Sequence, residues 1–337
     1  MMDTLWLNEE NDSLVIIDQT KLPNTLETLE ITTPNALYDA IKTLAVRGAP
    51  AIGVSAAIGM YAIAKRFETT DITEFKARFS ETSEYINSSR PTAVNLSWAL
   101  ERMKNVLKGC TTVDEARSSL KRECIAIRDE DIAVCRKIGE NGASLITDGG
   151  VYITHCNAGR LAAVRYGTAL APFYIAQEQG KRFTVHADDT RPLLQGARLT
   201  AYELSSAGID TVVQCDNMVA SLMSEKKING IFVGCDRVAR NGDAANKIGT
   251  HGLALIAKHF GVPFYVCAPY STIDLNTKCG ADIVIEHRDG DEIGEKWYNA
   301  KMTPNGVSYY NPAFDVTPHE LITAFVTEKG LLTPDKL

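Results

Sequence analysis

The chain has 337 residues, 45% of them hydrophobic and 23% charged, with a formal net charge of −7. That is close to the globular average and long enough for about two domains, which excludes a disordered tail. The acidic balance argues against a protein built to neutralise nucleic acid or an anionic membrane, since either task needs a concentrated basic surface.

The start of the chain, Met1 to Asp18, carries acidic residues before any apolar stretch, unlike a signal peptide, so a cytoplasmic location is expected. Ser13 to Asp18 and Thr28 to Thr32 read as strands. Pro34 opens a helical stretch, ALYDAIKTLAV, that ends at Arg47-Gly48. The longest uncharged run, Ala49 to Ala64, is shorter than the roughly 20 residues a membrane span needs and contains Pro50, Gly53 and Gly59. It is expected to be a buried helix. Helical patterns follow at Ile72 to Asn87 and Ala93 to Leu107, separated by a loop at Ser88 to Thr92. Val113 to Leu145 reads as one or two helices.

From Val151 the pattern alternates. Strands are expected at Val151–Thr154, Phe183–Ala187, Thr211–Gln214, Ile231–Gly234, Pro263–Ala268 and Ile283–Glu286, and helices at Gln195–Ser206 and His251–Phe260. Such alternation implies βαβ units and a parallel sheet. Near the C-terminus, Thr317, Pro318 and Glu320 have the pattern of a capping box opening a helix. The eight cysteines contain no CxxC pair, and most are expected to be small core hydrophobes.

In an open α/β sheet, ligands bind beyond the carboxyl ends of the strands. That rule selects Cys156-Asn157, Asp188-Asp189-Arg191, Asp216-Asn217 and Asp236-Arg237. Arg160, Arg165, Arg198, Arg240 and Lys247 lie nearby in sequence, and a local basic set in an acidic chain suits a small phosphorylated ligand. There is no GxGxxG, no GxxxxGK[ST] and no GxSxG. His186 and Asp188 offer two metal ligands at one strand end without an evident third, so a hydrogen-bonded loop histidine is expected instead. Cys156 and Asp236 are the two candidates of sharpest chemistry, a thiol and a carboxylate at the ends of separate strands.

Several segments carry a family resemblance: Arg47-Gly-Ala-Pro-Ala-Ile-Gly53, Ser89-Arg-Pro-Thr-Ala93, Thr154-His-Cys-Asn-Ala-Gly159, Asp189-Thr-Arg-Pro-Leu-Leu-Gln-Gly196, Asp236 to Gly249, and Asn311-Pro-Ala-Phe-Asp-Val-Thr-Pro318. In order and nearly end to end, they resemble methylthioribose-1-phosphate isomerase. Two positions depart from the family's usual pattern: Cys235, where alanine is usual, and Arg160, where a small residue is more common.

The resemblance implies a smaller α+β N-terminal domain, residues 1–122, and a Rossmann-like parallel-sheet catalytic domain, residues 123–337, in a homodimer. It implies conversion of 5-methylthioribose 1-phosphate to the matching ribulose 1-phosphate in methionine salvage. No metal or organic cofactor, nucleic acid or membrane is involved. The family's catalytic positions fall on Cys156 and Asp236, and its substrate-binding positions on Arg47, Gly48, Ala49, Arg90, Gln195, Asn246 and Lys247.

The chemistry suits these assignments. C1 of such a substrate is locked as a phosphorylated hemiacetal, so the ring must open first, and a protonated Asp236 in an apolar site would donate to the ring oxygen. Proton transfer through an enolate suits a Cys156 thiolate, and a direct hydride shift suits a neutral thiol. 5-Deoxyribose 1-phosphate is an alternative substrate, because one apolar group is worth only about 1–3 kcal/mol of discrimination. The other readings are a ribose-1,5-bisphosphate isomerase, a non-catalytic regulatory sensor of the same fold, and a nicotinamide-dependent oxidoreductase, against which the missing glycine fingerprint counts.

Overall fold

A computed structural model describes residues 2–91 and 93–337; Met1, and Thr92 of the expected Ser88–Thr92 loop, lie outside the described residues. The chain forms two compact units. The first comprises the chain up to Cys135 together with Gly159–Gly167, and the second comprises Arg136–Ala158 and Thr168–Leu337.

In the first unit, β1 (Leu5–Asn8), β2 (Ser13–Ile17) and β3 (Thr28–Ile31) form an antiparallel sheet. It is followed by α1 (Pro34–Lys42), α2 (Ala49–Ala64), α3 (Ile72–Asn87), α4 (Val94–Val106) and the 31-residue α5 (Val113–Ala143). Every residue of α2 from Ala51 to Ala64 is buried, as its uncharged sequence requires. Its glycines permit close packing: a Cβ at Gly59 would meet Leu37 of α1 at 2.7 Å, and one at Gly53 would meet the Asn95 carbonyl of α4 at 3.0 Å. The helix α1 stops at Lys42, earlier than its apolar pattern suggests. Leu44 turns into the left-handed region (φ 65°), and the Val46 N–H bonds back to the Ala40 carbonyl at 3.1 Å.

The expected division after residue 122 and the observed one after Cys135 both fall inside α5, whose residues from Arg136 onward belong to the second unit. Hydrogen bonds explain why Gly159–Gly167 returns to the first unit. Thr4 Oγ1 donates to the Arg160 carbonyl (2.7 Å), Gln19 Nε2 to the Leu161 carbonyl (2.7 Å), and the Val164 N–H to Asp131 Oδ2 (2.9 Å). Burial raises the Asp131 carboxyl to about 7 against the bonds from the Val164 N–H and the Cys135 thiol. A carboxyl raised on folding contributes most below its unfolded value near 4, and the contribution is lost as the pH rises through 7. Asp131→Asn is therefore expected to raise the melting temperature at pH 8, with the gain shrinking towards pH 4; equal gains at both pH values would contradict this.

The second unit holds β4 (Gly150–His155), α6 (Ala171–Glu178), β5 (Phe183–Asp188), α7 (Ala201–Ser206), β6 (Asp210–Gln214), α8 (Val219–Glu225), β7 (Gly230–Val233), β8 (Arg237–Ala239), β9 (Ala244–Lys247), α9 (Thr250–Phe260), β10 (Phe264–Cys267), β11 (Ile273–Asp274), β12 (Phe314–Thr317), β13 (Ala324–Thr327) and β14 (Gly330–Leu332). Its main sheet runs β14-β13-β10-β7-β4-β5-β6, parallel throughout except for the β13–β14 pair. A second sheet runs β11-β8-β9-β12. The fold is thus α/β, with a mixed but mainly parallel C-terminal sheet and a smaller α+β N-terminal region.

Three expected elements differ. Ile283–Glu286 is not a strand: its β-branched run lies outside the sheet, and Val284 is 93% exposed. The sheet is completed instead by β13 and β14. The helix at Pro318 does not form; Asp243 Oδ1 accepts both the His319 N–H (3.0 Å) and Nδ1 (2.9 Å), pinning a single tight turn before β13. The helix expected from Gln195 begins as a wide turn over Gly196–Thr200 and becomes α-helical only at Ala201. Among the described residues, no helix is long and apolar enough to cross a membrane.

Candidate active site

From β4 the chain builds outward to β5 and β6 on one side, then crosses to β7, β10 and β13 on the other. The point where the order reverses, between β4 and β7, is where open α/β sheets leave a crevice for ligands. His155, the last residue of β4, is in register with Val233, the last of β7. Cys156 and the segment Gly234-Cys235-Asp236 therefore leave neighbouring strands at the same end, flanking the reversal.

The end of β4 is held by an unusual backbone. Cys156 is half-buried at φ 64°, a conformation that costs a non-glycine residue roughly 1–2 kcal/mol. Two threonines secure it: the Cys156 N–H donates to Thr190 Oγ1 (2.8 Å), and Thr200 Oγ1 donates to the Cys156 carbonyl (2.6 Å). Asn157 is buried next to it and donates to Thr200 Oγ1 (3.1 Å) and to the fully buried carboxylate of Glu203. Tyr174 donates to the other Glu203 oxygen at 3.0 Å. Thr190, Thr200 and Glu203 escaped the sequence reading; the three-residue spacing of Thr200 and Glu203, one helical turn, was the available signal.

Asp236 sits at the mouth of the β8–β9 hairpin, with its N–H bonded to the Ala245 carbonyl (2.9 Å). Its expected apolar setting is not found: the residue is exposed. Cys235 points the other way, with Sγ donating to the Arg237 carbonyl (3.1 Å) and the Ala245 carbonyl (3.3 Å). Burial, reinforced by the charge of Asp236, pushes its thiol far up, so Cys235 is a structural thiol. Across the hairpin, Asn246 donates to Thr250 Oγ1 (3.0 Å), and Lys247 donates to the Ala313 carbonyl (2.9 Å) with its ammonium 4.4 Å from the Phe314 ring centroid. Both are buried. Gln195 is also buried, and among the described residues its Oε1 has no hydrogen-bond partner, which is costly for a buried acceptor.

Arg47, Gly48, Ala49 and Arg90 belong to the first unit. Gly48 (φ 90°) precedes α2, and a Cβ there would lie 2.5 Å from Ala162 Cα, so only glycine fits. The helix starts without a side-chain cap. The contact of Gly53 with Asn95 brings the start of α2 near that of α4, which Arg90 precedes.

Other expectations are corrected. Arg165 is committed to Asp3 (2.6 and 2.9 Å), Arg160 donates to the Met2 carbonyl (3.1 Å), and Arg198 lies over the Trp297 ring (4.3 Å). Of the basic set, Arg240 lies in the turn of the β8–β9 hairpin, its N–H bonded to the Thr277 carbonyl (2.8 Å), and Lys247 ends β9. His186 is a hydrogen-bonded histidine, as expected, rather than a metal ligand: its Nδ1 bonds Gln214 Oε1 (3.1 Å), though from strand β5 and not from a loop. The residue facing Asp188 is His155, also missed, although it directly precedes Cys156 in the sequence. Asp216 completes a trio whose spacing a metal could match. Both Asp216 oxygens already accept backbone N–H groups, from Thr190 and Arg191 (2.8 Å each), and Asp188 Oδ1 accepts Gln214 Nε2 (2.9 Å). The arrangement reads as a hydrogen-bonded ion cluster.

A family model described as "Initiation factor 2 subunit family" matches residues 45–334. Methylthioribose-1-phosphate isomerase of Symbiobacterium thermophilum is 53% identical, over 99% of this chain and 93% of its own. The chain belongs to the methylthioribose-1-phosphate isomerase family. A protein of Clostridium botulinum named 5-deoxyribose 1-phosphate isomerase is 51% identical, over 97% of this chain and 94% of its own. The crystal structure of 5-methylthioribose 1-phosphate isomerase from Pyrococcus horikoshii matches with a TM-score of 0.93 and 37% identity, covering all of this chain and 94% of that one.

Proposed function

We propose that this chain is an aldose–ketose isomerase that converts 5-methylthioribose 1-phosphate, and also 5-deoxyribose 1-phosphate, into the corresponding ribulose 1-phosphate without metal or organic cofactor. The observation that carries this reading is the thiol–carboxylate pair, Cys156 and Asp236, flanking the strand-order reversal in a chain 53% identical to such an isomerase.

Asp236 is assigned the acid that opens the sugar ring, and Cys156 the group that serves hydrogen transfer between C2 and C1. Asp236 is exposed without substrate, and a sugar covering it would remove water and favour its protonated form. Gln195 and Asn246 are assigned to hydroxyls. Lys247, Arg47, Arg90 and the Gly48-Ala49 amides are assigned to the phosphate, where binding energy on a non-reacting group positions the sugar for reaction.

A recess of about 240 Å³ in the second unit, lined by Pro192, Ile248, Ile293, Tyr310 and Pro312 with Arg191 and Asn311, is mainly apolar and supports an apolar C5 substituent. It adjoins the anion position: the Ala313 carbonyl accepts both Lys247 Nζ and the Ile248 N–H. The reading includes a cytoplasmic homodimer that binds no nucleic acid, and the exposed Val212 and Val213 on edge strand β6 suit a self-association surface.

The test is a side-by-side steady-state assay of the two substrates. Turnover of both is expected, with kcat/KM higher for the methylthio sugar by about 10–200-fold, the worth of one apolar group. No turnover of either by folded protein would refute the reading.

A further inference from the structure

His155 is one of the most buried polar residues of the second unit, 1% exposed, yet nothing in the assigned chemistry uses it. Its ring touches two acceptors. Nδ1 faces Asp188 Oδ2 at 3.1 Å, with Asp216 Oδ1 at 3.7 Å, and Nε2 faces the Ile248 carbonyl at 2.8 Å. Neither a carboxylate nor a carbonyl donates, so satisfying both contacts needs an N–H on each ring nitrogen, which only the imidazolium has.

The geometry leaves the ring little freedom. A Cβ on Gly249 would stand 2.8 Å from the His155 Cε1, so the turn after Lys247 lies directly on the imidazole. The charged groups around it are Asp188 at the end of β5, Asp216 after β6 and Asp315 on β12; Asp189 adds its charge behind Asp216, whose N–H it accepts (3.1 Å). Asp315 accepts the N–H groups of Gly249 (2.8 Å) and His251 (3.1 Å), holding the same turn from its other side. Burial alone would lower the basicity of His155. The hydrogen bond and charge of Asp188, with the charge of Asp216, outweigh it and raise the ring above its usual value.

We propose that His155, held as a doubly protonated ring, is a positioning residue for this reaction: it pins the Cys156-bearing end of β4 to the turn that follows Asn246 and Lys247. Asp188 and Asp216 fix one side of the ring, and through Thr190 the same carboxylate of Asp216 reaches the Cys156 N–H. The Ile248 carbonyl takes the other side. Because the ring is raised above its ordinary value, the clip is engaged through neutral pH and opens as the pH rises through the ring's own titration, giving kcat an alkaline limb.

The inference rests on the roles assigned to Cys156, Asn246 and Lys247, and its test is separable from them. In the full-length protein with ¹⁵N-labelled histidine, one ring is expected to carry protons on both nitrogens at pH 7; His155→Gln assigns that signal by its loss. The ring's titration midpoint is expected to coincide with the alkaline limb of kcat. Asp216→Asn, which removes a supporting charge, should move both downward by about one pH unit. A ring with an unprotonated Nδ1 at pH 7, whether neutral or metal-bound, would overturn the proposal, as would a limb that stays in place in Asp216→Asn. If that variant does not fold, agreement or disagreement of the two midpoints in the wild type decides. Ring protonation is read without turnover, so an inactive wild type would sink the proposed reaction and leave the ring's state measurable.

Discussion

Asp236→Asn and Cys156→Ser are each expected to lower kcat by about two to four orders of magnitude, the usual worth of a positioned proton-transfer group. Both changes nearly preserve shape. The backbone N–H of Asp236 bonds the Ala245 carbonyl, and asparagine keeps that bond. Cys156 is held by its backbone N–H and carbonyl, through Thr190 and Thr200, so serine at 156 retains both bonds. The loss should therefore appear in the chemical step, with the melting temperature and phosphate binding little changed. An amide cannot protonate the ring oxygen, and a phosphorylated hemiacetal cannot isomerise until its ring opens. Wild-type rates in either variant would remove that residue from the reaction.

The largest structural effect is expected from Gly196→Ala. A Cβ at this position would stand 1.6 Å from the Asp188 carbonyl oxygen and 3.0 Å from Thr190 Oγ1. The first obstacle is the backbone of β5, so no side-chain rotation relieves it. Asp188 cannot retreat easily, because its carboxylate bonds both His155 and Gln214. The wide turn over Gly196–Thr200 must move instead, taking Gln195 and Thr200 with it. A destabilisation of about 3 kcal/mol is expected, read as a melting temperature lower by roughly 6–12 °C, with kcat/KM falling as well. Gly252→Ala is the matched control: it lies exposed on α9 with no atom within 4 Å of the added Cβ. It should be neutral or stabilising by up to about 1 kcal/mol. Equal melting temperatures for the two variants would contradict the packing described around Gly196.

Much of this fold is written in local patterns. The run from Ala49 to Ala64 has no charge to expose and is buried on every side. The strands of the parallel sheet are short apolar runs between helix-length segments, and the loops after them hold the chemistry-bearing residues. What stayed hidden depends on contacts distant in sequence. Gly159–Gly167 belongs to the first unit because Thr4, Gln19 and Asp131 bind its backbone, and no composition shift announces that. The Thr317-Pro318 pattern opens no helix because Asp243, far away in sequence, pins His319 in a turn. At the site, Cys156 and Asp236 stood out as a reactive thiol and a carboxylate at strand ends. His155 did not, since a histidine inside an apolar strand carries no local sign of the two carboxylates that meet it from β5 and from beyond β6.

Isomerisation of a 5-substituted ribose 1-phosphate by the chain's own side chains is open to a direct experiment. It is tested most directly by ³¹P and ¹H NMR of 5-methylthioribose 1-phosphate incubated with EDTA-treated protein, with Asp236→Asn in parallel. Complete conversion to the equilibrium mixture with the ketose 1-phosphate is expected in the wild type and almost none in the variant. An unchanged aldose spectrum with folded wild type, or activity restored only by adding a metal ion, would contradict it.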